Sequence, residues 1–292
     1  MDVRHWKRWL VCFRRASWGT YKHGGLGYAK GAAYSALLAF FPILTTVTTL
    51  LIQANAAAVS RRIVAFVFQA APPGIEDLIR YQMAERGAKP LTLPLIAGLL
   101  SIWAASGVTS SLLDAFQAAY GRPHGRGTVR QRLVAIWLVV AAILPVVGVS
   151  AMMLLGVKAE TWLFQQLGFL DTGETLRGGI RVLSYSVNVL LGFVAMVAAA
   201  GMLYFFGPAG PKGRKIWPGA WLAASLWLLL TILFTWYVRN IADYNVLYGS
   251  IGAVIALMVW LWLLSLAAMV GCEFNAHLDG HRFHASRPRA AR

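Results

Sequence analysis

Long apolar runs alternate along the chain with short polar joints. Six stretches contain no Asp, Glu, Lys or Arg: 31–53, 91–113, 133–157, 182–206, 216–238 and 249–271. Each has 23 to 25 residues. A helix needs about 20 apolar residues to cross the hydrocarbon core of a bilayer. A soluble core helix is rarely apolar on every side for that length. In lipid the backbone polar groups must find partners within the segment, so each run is expected to be helical. The pattern predicts an all-α, polytopic membrane protein with six transmembrane helices.

The first 24 residues follow another rhythm. On a helix, Val3, Trp6, Trp9, Leu10 and Phe13 gather on one side, and Arg4, Lys7, Arg8, Arg14 and Arg15 on the other. Segment 1–24 therefore reads as an amphipathic interfacial helix, with Trp6, Trp9 and Phe13 as anchors in the headgroup zone. Docking on the protein's own surface is the alternative. Basic residues run through the segment, so a cleaved leader is not expected. A membrane domain over 25–280 and a basic tail over 281–292 complete the expected organisation. Segment 54–90 reads as two short surface helices, 59–70 and 75–86, separated by Pro72-Pro73-Gly74.

Composition agrees. The chain of 292 residues is 58% hydrophobic and 13% charged, against roughly 25% charged in soluble proteins. Its net charge is nevertheless +16, which raises the question of nucleic acid. The distribution of charge answers it. With the N-terminus inside, segments 1–30, 122–132, 207–215 and the residues after 271 hold 18 of the 27 Lys and Arg, and the opposite segments hold nine. The positive-inside rule then places both termini in the cytoplasm. The basic excess becomes a topology signal and an attraction to anionic phospholipid headgroups. No basic groove or stacking module is visible, so nucleic acid is not an expected partner. The partners expected are the lipid bilayer, anionic headgroups at the cytoplasmic face, and a second copy of the chain or an envelope protein. Cys12 and Cys272 fall on the reducing side without metal-ligand spacing and read as structural thiols.

Candidate chemistry is sparse. No charged residue lies within a run, which argues against an ion-coupled carrier with a midplane charge. The candidate path or gate residues are polar or kink-forming. They are Tyr34, Pro42, Thr45 and Thr46 in the first run, Trp103 and Ser106 in the second, Asp114 just beyond it, and Asn188 in the fourth. Asp243, Tyr244, Asn245 and Tyr248 precede the sixth. Pro42 is expected to kink its helix. The threonine hydroxyls either bond their own helix or line a wet path, and Gly31 to Ala36 allow close helix contact. Asp114 either faces a vestibule or pairs with Lys30, Arg122 or Arg126. Asn188 needs a partner or a cavity. The motif DYNVLYGSIGA at 243–253 reads as an aromatic and glycine boundary, with an outer gate as the alternative. On the inner side Glu273, Asn275 and His277 form a polar cluster. His281 and His284 continue the face of His277 at a spacing that suits a metal, but Gly280 interrupts the helix there. A solvated tail is the preferred reading, and no metal or cofactor is expected.

The stretches AKGAAYSALLAFFPIL at 29–44, IWAASGVTSSLLDAFQAAYG at 102–121 and the whole of 203–278 resemble the YihY/BrkB family of bacterial inner-membrane proteins. The likeness covers about 25–280. Positions that fit the family pattern include Tyr34, Phe41, Pro42, Trp103, Ser106, Gly107, Tyr120, Pro218, Gly219, Tyr244, Asn245, Tyr248, Glu273 and Asn275. Ser35 departs from it, standing where the family often carries a second tyrosine. The resemblance implies a six-span inner-membrane protein. It implies no settled biochemistry: the old label ribonuclease BN is regarded as mistaken, and one branch is associated with virulence and serum resistance.

The function expected is transporter-like, for a small solute or a lipid-type amphiphile. The alternative is a non-transporting accessory or structural subunit tied to envelope integrity or virulence. An enzyme is not expected, because phosphodiester hydrolysis needs a metal or an acid–base pair in water.

Overall fold

The computed structural model describes residues 3–53, 92–122, 127–142, 178–208, 215–240 and 250–279. Among them every regular element is helical. In chain order these are α1 (Val3–Lys22), α2 (Gly25–Gln53), α3 (Thr92–Ala119), α4 (128–142), α5 (Gly178–Phe206), α6 (Trp217–Asn240) and α7 (Ser250–Leu278). Five contain a stretch long and apolar enough to span a membrane: Gly25–Val47, Leu95–Ala119, Val189–Phe206, Trp217–Val238 and Gly252–Leu278. The third expected span, 133–157, is described only as far as residue 142, as part of α4. The two expected surface helices at 59–70 and 75–86, the DYNVLYG part of the boundary motif and the tail after 279 lie outside the described residues.

The outer flanks show what solvent the helices are built for. Leu95, Leu99, Ile232 and Leu233 are exposed along α3 and α6. Such continuous apolar surface is not left to water, and lipid tails satisfy it. The helix contacts, in contrast, are made by small residues. In the antiparallel α2–α3 pair, Gly31 faces Ser111, Ser35 faces Gly107 and Thr46 faces Gly98. A Cβ at Gly107 would stand 2.8 Å from the Ser35 hydroxyl. Close backbone approach through small residues is how helices associate without a hydrophobic drive. The short Ser35 side chain fits this narrow seam. α2 is helical through Pro42, and Thr46 Oγ1 donates to the Pro42 carbonyl at 2.8 Å.

α6 and α7 form a second antiparallel pair. Gly219 and Gly271 meet at its tightest point, where a Cβ on either would overlap the other backbone. Trp227 Nε1 donates to Leu264 O at 2.8 Å, and Trp260 Nε1 to Thr231 Oγ1 at 3.3 Å. α5 joins this pair through Tyr204, whose hydroxyl donates to Ala268 O at 2.7 Å and whose ring meets Phe116 edge-on at 5.3 Å. The densest core, with Leu113, Phe116, Tyr204, Ala220 and Cys272, lies toward the end of the bundle where α1 docks.

α1 turns into α2 across His23 and Gly24. Gly24 has φ 76°, a left-handed conformation that glycine adopts without steric cost. The sequence favoured a helix held by lipid. The structure seats one face of α1 on the end of α7: Ala16 and Thr20 are buried, and the Trp9 ring lies 5.3 Å from Phe274. Trp9 is still 51% exposed, and Leu10, Phe13, Trp18 and Tyr21 also face outward. α1 thus carries a docked face and an apolar outer face. Trp6 belongs to α1, and its side chain lies outside the described residues.

Candidate functional site

Glu273 and Asn275 in the last two turns of α7, and Asp279 just after it, each tie down a different part of the chain. Glu273 is 3% exposed and accepts a hydrogen bond from His23 Nδ1 at 2.5 Å, which fixes the turn between α1 and α2. Asn275 is buried. Its Oδ1 accepts from the Gly219 N–H at 2.7 Å, and its Nδ2 donates to Ile216 O at 3.0 Å. It therefore satisfies the Gly219 N–H, which the first turn of α6 leaves open, and adds a second donor to Ile216 O, which also accepts from the Ala220 N–H at 3.1 Å. Asp279 accepts from the Lys215 N–H at 2.9 Å and from the Tyr120 hydroxyl at 3.3 Å, joining the approach to α6 to the end of α3. Glu273, Asn275 and His277, expected as a polar cluster, lie along the end of α7, and the bonds of Glu273 and Asn275 described above run to other parts of the chain.

Next to this hub is a cavity of about 810 Å³ between α1, the end of α3 and the end of α7. Arg14, Arg15, Lys22 and His23 line one side, Tyr120 and Gly121 another, and Glu273 and His277 the α7 side. Gly19 lies where α1 crosses α7 closely: a Cβ there would stand 2.9 Å from Glu273 Oε2, so the carboxylate would have to shift. Arg14, Arg15 and Lys22 are exposed at the rim, and Trp18 adds an apolar surface that is 67% exposed. A concave site with three permanent cations, one engaged carboxylate and an aromatic lip suits an anion with an apolar part. Among the described residues no group of three or more His, Cys, Asp and Glu is placed to hold a metal.

A second polar assembly lies between α3 and α4. Gln131 Nε2 donates to Asp114 Oδ1 at 2.6 Å, and Gln117 Nε2 donates to Gln131 Oε1 at 3.1 Å. Both glutamines are buried. The partner that meets Asp114 is thus an amide, where the sequence suggested Lys30, Arg122 or Arg126. The next residue, Arg132, reaches further. Its Nη2 donates to Trp103 O at 3.0 Å, and its guanidinium carbon lies 5.4 Å from the Trp103 ring centre. Its Nη1 is 3.8 Å from where a Cβ of Gly107 would stand. Gly107 is the middle residue of the Leu95–Ala119 stretch. Residue 132 precedes the apolar run, yet its charge lies beside the centre of a neighbouring span.

Among the described residues, the other expected path residues are not gathered into one site. Tyr34 and Trp103 are 59% and 62% exposed on the outer flanks of α2 and α3. Ser106 is fully buried, and its hydroxyl donates to Trp103 O at 2.6 Å. Thr45 and Thr46 donate to the carbonyls of Phe41 and Pro42 in their own helix. Asn188 lies on α5, and its side chain is outside the described residues, as are Asp243, Tyr244, Asn245 and Tyr248. Sequence reasoning missed the basic wall of the cavity and Arg132. The pair Arg14-Arg15 on the polar side of α1, one turn from Trp18, was the available signal for the first.

Comparison with known proteins agrees with this architecture. A protein of Bacillus subtilis named putative ribonuclease-like protein YfkH is 27% identical over 261 residues, covering 88% of this chain and 90% of its own. A UPF0761 membrane protein of Pelodictyon phaeoclathratiforme is 24% identical over 268 residues, and one of Chlorobium limicola 28% over 249. This chain covers 88% and 84% of itself in those two matches but only 58% and 53% of the relatives' length. No solved structure matches. Residues 19–292, which take in the α7 hub, both antiparallel pairs and the cavity wall from Gly19 onward but not Arg14, Arg15 or Trp18, match the family described as virulence factor BrkB, and the chain belongs to that family of integral membrane proteins.

Proposed function

We propose that this protein is transporter-like and acts on an anionic amphiphile of the bacterial inner membrane. Both termini lie on the cytoplasmic side in this reading. The observation that carries it is the basic cavity at the α1 end of the bundle, with Arg14, Arg15 and Lys22 at its rim and Trp18 beside them. A phosphate-bearing headgroup fits such cations through charge-assisted hydrogen bonds, while its acyl chains stay against the apolar flanks. Charge supports the orientation: the segments on this side hold 18 of the 27 Lys and Arg. No catalytic step is assigned. The relative's name points to a ribonuclease, but Glu273, the carboxylate of the cavity, is bonded to His23. An acid and a base that serve a substrate direct their protons at it.

The second reading is an accessory subunit with no path. The hydroxyls of Thr45, Thr46, Ser101, Ser106 and Ser111 favour it, because each bonds a carbonyl of its own helix. A leaflet-resolved comparison of lipids in cells carrying and lacking the protein separates the two. A charged lipid that changes sides with the wild type but not with an Arg14→Gln, Arg15→Gln variant supports transport. An unchanged distribution of every species supports the accessory role.

A further inference from the structure

Arg132 is the one charge that the described side chains bring to the middle of a span. Its guanidinium lies beside Gly107, twelve residues before Ala119 on the cavity wall. At 1.5 Å per residue that is about 18 Å along α3. The cation is held from behind by the Trp103 carbonyl and covered on one face by the Trp103 ring. Among the described residues no carboxylate is paired with it. The nearby acid, Asp114, accepts its hydrogen bond from Gln131. A charge at that depth is costly without a counter-ion, and guanidinium donors in a fixed fork match phosphate oxygens. The ring beneath it is 62% exposed, so the assembly opens onto the bilayer side of the bundle.

We propose that Arg132 and Trp103 form a second anion site, at mid-span, which takes the phosphate group of a membrane lipid. The proposal deepens the transport reading, since it would put a cation on the route of a headgroup that leaves the basic cavity along α3. The site itself requires only that lipid binds there.

The test is lipid retention by the purified full chain in detergent, followed by native mass spectrometry during titration with phosphatidylglycerol. Arg132→Gln should bind its most tightly held lipid about tenfold more weakly than wild type, the size of one lost charged hydrogen-bond pair. Arg132→Lys keeps the charge without the fork and should fall between them. Should Arg132→Gln not fold, Arg132→Lys against wild type carries the comparison. Displacement of the lipid by millimolar inorganic phosphate would identify the phosphate group alone as what is held, and resistance to displacement would tie recognition to the whole lipid. Either result keeps the site on Arg132 when the variants weaken binding. Equal lipid affinity in wild type and a folded Arg132 variant overturns the proposal. Leaflet movement is read separately: lost retention without any transport leaves the site and removes the transport reading. Intact retention in the variant with active transport does the reverse.

Discussion

Gly219 is the position where one added methyl group should do the most damage. The Cβ of Gly219→Ala would fall on the Gly271 carbonyl oxygen and within 2.5 Å of Asn275 Cγ, where ordinary contact begins at 3.4 Å. The α6–α7 pair must therefore part by about an ångström, and such overpacking costs about 1–3 kcal/mol. The same shift breaks the bonds from Gly219 N–H to Asn275 and from Asn275 to Ile216 O. Two hydrogen bonds at about 1 kcal/mol each bring the expected loss to about 3–5 kcal/mol. Equilibrium unfolding of the purified protein in mixed micelles measures it. Gly27→Ala is the control, because nothing lies within 4 Å of where its Cβ would be. It should be neutral, or stabilising by up to about 1 kcal/mol through helix propensity. If Gly219→Ala unfolds together with the control, the close crossing of α6 and α7 does not exist as described.

Three further outcomes follow from the polar ties. His23→Ala strips the partner from the buried Glu273, costing about 1–3 kcal/mol. It should loosen α1 from α7, which a disulfide crosslinking yield between cysteines placed at positions 16 and 276 would report as a fall. Gln131→Leu leaves Asp114 and Gln117 without their shared amide and should lower thermal stability by about 1–3 kcal/mol, whereas Gln131→Glu, which sets a second carboxylate against Asp114, should lower it further. Cys12 in α1 is partly exposed and Cys272 buried. A membrane-impermeant thiol reagent should therefore label Cys12 from the cytoplasmic side only, and labelling in intact cells from outside would reverse the proposed orientation.

Five of the six expected spans were legible because membrane helices announce themselves by continuous hydrophobicity, and the α2–α3 seam was legible from its small residues. What remained hidden was of two kinds. His23 and Glu273 are 250 positions apart, and nothing local signals that a turn residue meets a helix end across the fold. Arg132 was hidden because a charge was counted where its Cα sits. A long side chain carries its head several ångströms away from its backbone, here back toward Trp103 and the centre of α3. The aromatic set on α1 was read correctly as amphipathic, but periodicity alone does not say whether protein or lipid covers the apolar face. Here Trp9 meets Phe274 while half its surface remains open.

The central claim is that the basic cavity receives a charged headgroup for movement across the bilayer. Reconstitution of the purified chain into vesicles with a fluorescent phosphatidylglycerol in one leaflet tests it most directly. Chemical quenching from outside then reports the fraction that changes leaflet. The account predicts faster exchange of phosphatidylglycerol than in protein-free vesicles, little acceleration for phosphatidylcholine, and loss of the difference in an Arg14→Gln, Arg15→Gln variant that folds. Exchange at the protein-free rate for both lipids, with the protein folded and inserted, would contradict it.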